Sequence, residues 1–211
     1  MTRLLYPEEY SPEGSSRAYQ RVAKNLQTLR TKSLLKSKSY GIDKDYFWSL
    51  RKHPVIEELG YAPPRAEVHS FKYNHERDCA EVFVSLALTG ELYDWQANRR
   101  ISKGVIPDRL AKLSSKTFYI EVERGTQDKI ASKTENYRRY FREKGEEFYV
   151  LFLVPDEKTL ESAVHSLDKI NASSHYLVAM FSEFIKDPMH TIIINKFTSK
   201  TLSNTLSNSV E

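Results

Sequence analysis

Apolar and polar positions alternate with two different periods along this chain, and each period predicts a different kind of element. Within 17–39, apolar residues recur every three or four positions, which predicts an amphipathic helix. Helical spacing returns at 75–88 and stops at the Thr89–Gly90 pair. Residues 116–124 instead alternate with a period of two, with Phe118 on one strand face and Glu121 on the other.

The remaining segments complete a predicted order of αβββαβαβ. Residues 146–155 are apolar at nearly every position, which is typical of a central strand that is buried on both faces. The other predicted elements are strands at 90–101, 105–113 and 190–197 and helices at 127–144 and 157–170. No type is assigned to 176–185. Residues 198–211 lack core-forming periodicity, and we expect them to be a disordered tail.

A pair of prolines marks the predicted domain boundary. Pro63 and Pro64 remove two backbone donors and favour an extended chain before them, so 62–65 is predicted to be a hinge. The hinge separates an N-terminal region, 1–64, from a core domain, 65–197. Within the N-terminal region, a strand at 42–50 and a short helix at 54–59 are predicted to form a wing-like hairpin.

Composition excludes several classes of protein. The chain is 40% hydrophobic and 28% charged, and it contains no apolar run long enough for a membrane span or a signal peptide. The single cysteine, Cys79, excludes an internal disulfide framework and a cysteine-based zinc site. We therefore expect a cytoplasmic protein that makes no membrane contact.

The net charge of +4 is small, but the basic residues are not evenly distributed. The 17–39 segment contains no acidic residue, so one face of its helix is predicted to be cationic. Such a face can bind DNA phosphates, although a solvated helix face is an equally good interpretation of the charge alone. The predicted DNA contacts of this helix are Arg17, Arg21, Lys24, Arg30 and Lys32.

Three carboxylates are predicted to converge at one end of the sheet. Glu121 and Glu123 are two positions apart on a strand and share a face, and Asp108 on the preceding strand can approach them in a hairpin. Carboxylates that repel one another in this way suit Mg²⁺ or Mn²⁺, which prefer hard oxygen ligands. The alternative is an ordinary acidic face on a solvated sheet edge.

These residues carry a resemblance to known families. Pro107-Asp108 followed by Glu121-x-Glu123, within an αβββαβ order, resembles the PD-(D/E)XK nuclease superfamily. The segments HERDCAEVFVSLAL, VIPDRLAKL, FYIEVERGT and KTENYRRYF also resemble, in order and spacing, the replication-relaxation family of plasmid and mobile-element proteins. That family pairs a winged-helix DNA-binding region with a domain of the nuclease type. The resemblance covers about 20–170.

The resemblance implies a fold and a set of site residues. The fold is a restriction-endonuclease-like α/β core, αβββαβ, preceded by a partial winged-helix region. Asp108 and Glu121 would hold Mg²⁺ or Mn²⁺, with Glu123 beside them as a third candidate ligand and Glu81 completing the site. Glu123 stands where the superfamily has its lysine, and Lys133 on the next helix would replace that lysine.

The helix at 127–144 adds further candidate DNA contacts. The basic residues Arg138, Arg139 and Arg142 could pair with phosphates, as could Arg124 before the helix. Tyr137 and Phe141 lie four positions apart on this helix, and we expect them to pack in the core.

The predicted function is a DNA-binding protein of plasmid or mobile-element replication or mobilisation. Its nuclease-like domain would cut or nick DNA with a metal-activated water. The alternative is a catalytically inactive DNA-binding or regulatory protein that retains the fold, and a third interpretation is a protein-interaction module. If both strands are cut, a homodimer is expected.

Overall fold

A computed structural model describes the backbone of residues 17–32, 35–40, 45–50, 70–97, 101, 105–124, 128–144, 148–195 and 197–207. The contacts within the chain divide it into two compact units, Met1–Glu76 and Arg77–Glu211. The predicted hinge at 62–65 and the predicted helix at 54–59 lie outside the described residues. The domain boundary at 64 therefore stays a prediction.

The first unit contains a helix followed by a β-hairpin. Helix α1 is Arg17–Thr31, strand β1 is Leu35–Tyr40 and strand β2 is Asp45–Leu50. The strands are antiparallel, with Leu35 opposite Leu50. The helix predicted at 17–39 is thus too long. Ser37 and Ser39 are unfavourable in a helix interior because serine competes for backbone hydrogen bonds, and pairing with β2 satisfies the backbone of this segment instead.

The second unit begins within helix α2 and contains most of the described residues. Its elements in chain order are α2 Ser70–Leu88, β3 Leu92–Ala97, β4 Arg109–Leu113, β5 Lys116–Val122, α3 Asp128–Lys144, β6 Tyr149–Val154, α4 Glu157–Lys169, β7 Tyr176–Met180, α5 Phe181–Phe184, β8 Ile192–Ile194, β9 Ser199–Thr201 and α6 Leu202–Ser207. The mixed α/β class is confirmed. The unassigned segment 176–185 forms β7 and α5, and the late strand is reduced to β8.

A seven-stranded mixed sheet, in the order β3-β4-β5-β6-β7-β8-β9, forms the centre of this unit. Strands β3, β4 and β5 are an antiparallel meander, whereas β5, β6 and β7 run parallel. Parallel neighbours need crossover connections, and α3 and α4 provide them. The carboxyl ends of β5, β6 and β7 therefore lie at one edge of the sheet and their amino ends at the other.

The period of two in β5 separates two hydrophobic cores. Phe118, Ile120 and Val122 pack with Cys79 and other residues of α2 on one face of the sheet. On the other face, the Tyr119 side chain packs with residues of α3 and α4. This separation directs the side chain of Glu121, which neighbours Ile120 in the strand, toward α3.

The tail predicted to be disordered from residue 198 is ordered over 199–207, so that prediction is wrong for these residues. Leu202 is fully buried, and the Nζ of Lys116 donates a hydrogen bond to the backbone oxygen of Thr205 at 2.7 Å. Helix α6 has only six residues, which is too short for its apolar positions to show a helical period. Docking on the sheet supplies the order that the local sequence does not encode.

Replacing Leu202 with alanine is expected to lower the free energy of unfolding by about 2 kcal/mol, since a buried leucine loses its transfer energy and leaves a cavity. Urea denaturation measures the loss. The matched control is Leu88→Ala, because Leu88 is 41% exposed. Equal denaturation midpoints for the two variants would show that α6 does not dock.

Candidate functional site

Strand β5 places two acidic side chains on the face of the sheet that α3 covers. Glu121 is the second-to-last residue of the strand, and the Glu123 backbone N–H donates to the Leu153 oxygen of β6 at 2.8 Å. Strand-like pairing therefore continues to Glu123, and the two carboxylates project the same way. Their exposed side-chain fractions are only 3% and 7%.

The ammonium of Lys133 bridges the two carboxylates. Its Nζ donates to Glu121 Oε2 at 2.7 Å and to Glu123 Oε1 at 2.5 Å. Lys133 lies in the first half of α3, so the lysine reaches back over the end of β5. Burial by itself would lower the pKa of Lys133, but attraction to the two carboxylates outweighs it and raises that pKa.

Glu121 also accepts a hydrogen bond from a tyrosine. The hydroxyl of Tyr137, one turn after Lys133 on α3, donates to Glu121 Oε1 at 2.6 Å. Burial raises the pKa of Glu121 to about 7, with a further contribution from the nearby Asp108 carboxylate, although Lys133 opposes both. The pKa of Tyr137 is raised by burial and by Glu121, so its hydroxyl remains a donor.

Asp108 approaches the same strand end from the start of β4. Its Oδ2 accepts a hydrogen bond from the Val122 backbone N–H at 2.9 Å. The antiparallel register, in which Arg109 lies opposite Ile120, brings the residue before β4 to this position. The structure thus brings Asp108, Glu121, Glu123 and Lys133 together.

The donor chemistry of this cluster suits a hard divalent cation, but the arrangement does not. Both oxygens of Glu121 and one of Glu123 already accept hydrogen bonds from Lys133 or Tyr137. Among the described residues, no group of three or more His, Cys, Asp or Glu side chains is placed to hold a metal ion. The cluster as arranged therefore does not fit the predicted three-carboxylate site, and binding of Mg²⁺ or Mn²⁺ stays a prediction.

Helix α2 contributes an acidic residue that the sequence interpretation missed. Asp78 Oδ2 accepts from Arg124 Nε at 2.7 Å and from Arg124 Nη2 at 2.6 Å. Both residues line a cavity of about 220 Å³ together with Val122 and Glu123. Glu81, the predicted residue, is half-buried one turn later on the same helix. Two features of the sequence could have predicted this ion pair: Asp78 shares a helix face with Glu81, and Arg124 follows directly after β5.

The predicted DNA contacts fall into separate environments. Arg138 is held by the end of α4, since its Nη2 donates to the backbone oxygens of Ile170 and Asn171 at 2.7 and 3.1 Å. Arg124 pairs with Asp78, as described above. Arg124 is nevertheless exposed, as are Lys24 and Arg30 on α1, Lys32 just after α1, and Arg139 and Arg142 on α3. Arg17 and Arg21 also lie on α1, but their side chains are outside the described residues.

The aromatic residues of α3 pack as expected. The side chains of Tyr137 and Phe141 are buried, and their rings stack with centroids 6.0 Å apart. The prediction that both lie in the core is confirmed. The pattern did not reveal that the Tyr137 hydroxyl also contacts Glu121.

Fold and site together define a mixed α/β protein with a lysine-bridged carboxylate cluster at one strand end. The replication-relaxation family matches residues 2–149, well over half of the chain, and the chain belongs to this family. Membership suggests a role in replication or mobilisation. No curated protein and no solved structure matches the chain. Within the described residues, no helix is long and apolar enough to cross a membrane.

Proposed function

We propose that this protein binds DNA during the replication or mobilisation of a plasmid or other mobile element. Family membership supports the process. The support for DNA comes from α1 and the residue that follows it, where Lys24, Arg30 and Lys32 are exposed and no acidic residue lies along the helix. Exposed cations on one helix neutralise phosphates and release counterions, so this binding would depend strongly on salt.

The lysine-bridged cluster carries the finer proposal. The protein would retain a nuclease-like αβββαβ core as a DNA-binding or regulatory platform and would not cut DNA. The supporting observation is the position of the Lys133 ammonium between Glu121 and Glu123. A metal ion shared by these two carboxylates would have to occupy the same position. In this arrangement, Lys133 is the counter-ion of the site.

One observation favours a second candidate, which is cleavage or nicking of DNA with Mg²⁺ or Mn²⁺. Asp108, Glu121 and Glu123 carry up to three negative charges, and Lys133 offsets only one of them. Two negative charges remain: a proton on Glu121, whose pKa is raised to about 7, removes one of them, and a further cation could balance both. The two candidates therefore predict different responses to added metal.

Salt-dependent DNA binding tests the first part of the proposal. A Lys24→Gln, Arg30→Gln, Lys32→Gln triple variant is expected to bind a fluorescent duplex about tenfold more weakly at 50 mM salt, with a shallower salt dependence, because phosphate contacts are lost. Fluorescence anisotropy measures both quantities. The control replaces exposed Lys158, Lys169 and Lys186 with glutamine. Equal loss in both variants would contradict a role for α1, and no salt-dependent binding by the parent would favour a protein-interaction module.

A plasmid assay separates the two candidates for the core. The parent is expected to bind supercoiled plasmid without nicking it in Mg²⁺ or Mn²⁺, because Lys133 already bridges two of the carboxylates. Agarose electrophoresis detects nicked and linear products. Nicking by the parent, together with none by Asp108→Asn or Glu121→Gln, would overturn the platform proposal and support the nuclease.

A further inference from the structure

A second cleft lies at the opposite edge of the sheet from Glu121. It is formed where α3 ends and where β6 and β7 begin, and its volume is about 450 Å³. Arg142 lies nine residues after Lys133 on α3, which is about 14 Å along the helix axis. The cleft is therefore separate from the carboxylate cluster, although one helix connects the two.

The cleft is cationic. Arg138, Arg142 and His175 line it, and none of the lining residues within the described chain is acidic. The hydrogen bonds of Arg138 to the backbone oxygens of Ile170 and Asn171, just after α4, hold its guanidinium in place, and its ion pair with Glu135 at 3.2 Å offsets part of its charge. Arg142 is exposed, and its fork of N–H donors matches the geometry of a phosphate. The chemistry at this end of α3 favours an anionic ligand.

The floor of the same cleft is aromatic. The rings of Phe141 and Phe148 stack nearly parallel, and the His175 ring stacks on Phe148 with centroids 5.4 Å apart and an interplanar angle of 29°. A stack of flat rings beside a guanidinium is the arrangement with which proteins hold unpaired bases. A flat ligand ring that continues the stack would lie against His175, which is half-buried in the cleft wall.

Tyr176 adds an unsatisfied polar group to the wall of the cleft. The exposed fraction of Tyr176 is 2%, and its hydroxyl has no hydrogen-bond partner among the described residues. A buried hydroxyl without a partner costs about 1–3 kcal/mol. Burial raises the pKa of Tyr176 to about 12, so the hydroxyl stays protonated and lacks only an acceptor. A ligand oxygen next to Tyr176 would provide one.

We propose that this cleft binds an unpaired nucleotide, with its phosphate on Arg142 and its base against the stack that ends in His175. The volume is within the usual range of about 300–1,000 Å³ for sites that bind small ligands. A free nucleotide and a nucleotide within single-stranded DNA share this chemistry. The inference goes beyond the proposed function, since it needs neither the carboxylate cluster nor α1.

Fluorescence of 2-aminopurine tests the inference, because stacking on an aromatic ring quenches it. The full chain is titrated against 2-aminopurine deoxyribonucleoside monophosphate, against a single-stranded hexamer that contains one 2-aminopurine, and against the same hexamer paired in a duplex. We expect quenching of at least one unpaired probe and none of the duplex. Arg142→Gln should weaken binding about tenfold, and His175→Ala should reduce the quenching.

The comparison of probes identifies the source of the nucleotide. Binding of the monophosphate supports a free nucleotide, and binding of the hexamer alone supports a single strand. The control is Lys158→Gln, which removes an exposed cation at the far end of α4. Parent-like binding by both Arg142→Gln and His175→Ala would overturn the inference, as would binding without quenching. The α1 triple variant should still bind the monophosphate, so failure of the proposed function can be distinguished from failure here.

Discussion

Replacing Lys133 with methionine is expected to lower the free energy of unfolding by about 3 kcal/mol at pH 8, because breaking a buried ion pair leaves an uncompensated charge. Glu121 and Glu123 are almost fully buried, whereas the Lys133 side chain is 31% exposed, which places the cost at the lower end of the usual range. Methionine retains the length and apolar contacts of lysine. Urea denaturation measures the change.

The same variant tests the role of Lys133 as counter-ion. Without the ammonium, the cluster retains three carboxylates, and Mn²⁺ is expected to raise the Tm of Lys133→Met but not that of the parent. The matched control is Lys186→Met, since Lys186 is exposed. A parent stabilised by Mn²⁺ to the same degree would contradict the assignment and would support a metal site beside an intact lysine.

Replacing Glu121 with glutamine is expected to remove a pH dependence of about 3 kcal/mol. The pKa of Glu121 is about 7 in the folded protein against an ordinary value of 4.5, so the folded state binds a proton more tightly between these values. The free energy of unfolding therefore falls as pH rises from about 4.5 to 7 and stays low above that, by about 1.4 kcal/mol for each pKa unit. Glutamine does not titrate, so this part of the decline should disappear.

Denaturation midpoints at pH 5 and pH 8 measure the effect. The difference between the two pH values should be about 3 kcal/mol larger for the parent than for Glu121→Gln, while other titrating groups cancel in the comparison. Glu161→Gln, an exposed position on α4, serves as the control and should behave like the parent. If Glu121→Gln loses stability with pH as steeply as the parent does, Glu121 is ionised throughout this range and the burial argument is wrong.

The fold of the second unit was largely predictable where the pattern of apolar residues was long. The 116–124 strand and the 127–144 helix are observed as Lys116–Val122 and Asp128–Lys144, since each has two or more full repeats of its period. The predicted helix at 17–39 is observed only over Arg17–Thr31, and the prediction of a disordered tail is wrong for 199–207. Pairing with β2 outweighs the local pattern in β1. Pairing of β9 and docking of α6 on the sheet outweigh it at the C-terminal end.

The candidate site was partly predictable for the same reason. A period of two places Glu121 and Glu123 on one side of β5, and the helix after it can carry Lys133 back to them. Local periodicity cannot reveal which groups meet from distant parts of the chain. Asp78 pairs with Arg124 across 46 positions, and the Asp108 carboxylate meets the Val122 backbone across 14.

The sequence by itself determined the alternation of helices and strands, the acidic end of β5, the basic face of α1 and the family to which the chain belongs. All of these are properties of short segments or of residue order. Only the tertiary structure decided how the carboxylates are neutralised and which of the α3 arginines are held by other groups. Burial raises the energy of each unpaired charge, and the packing of α3 on the sheet determines which partner compensates it.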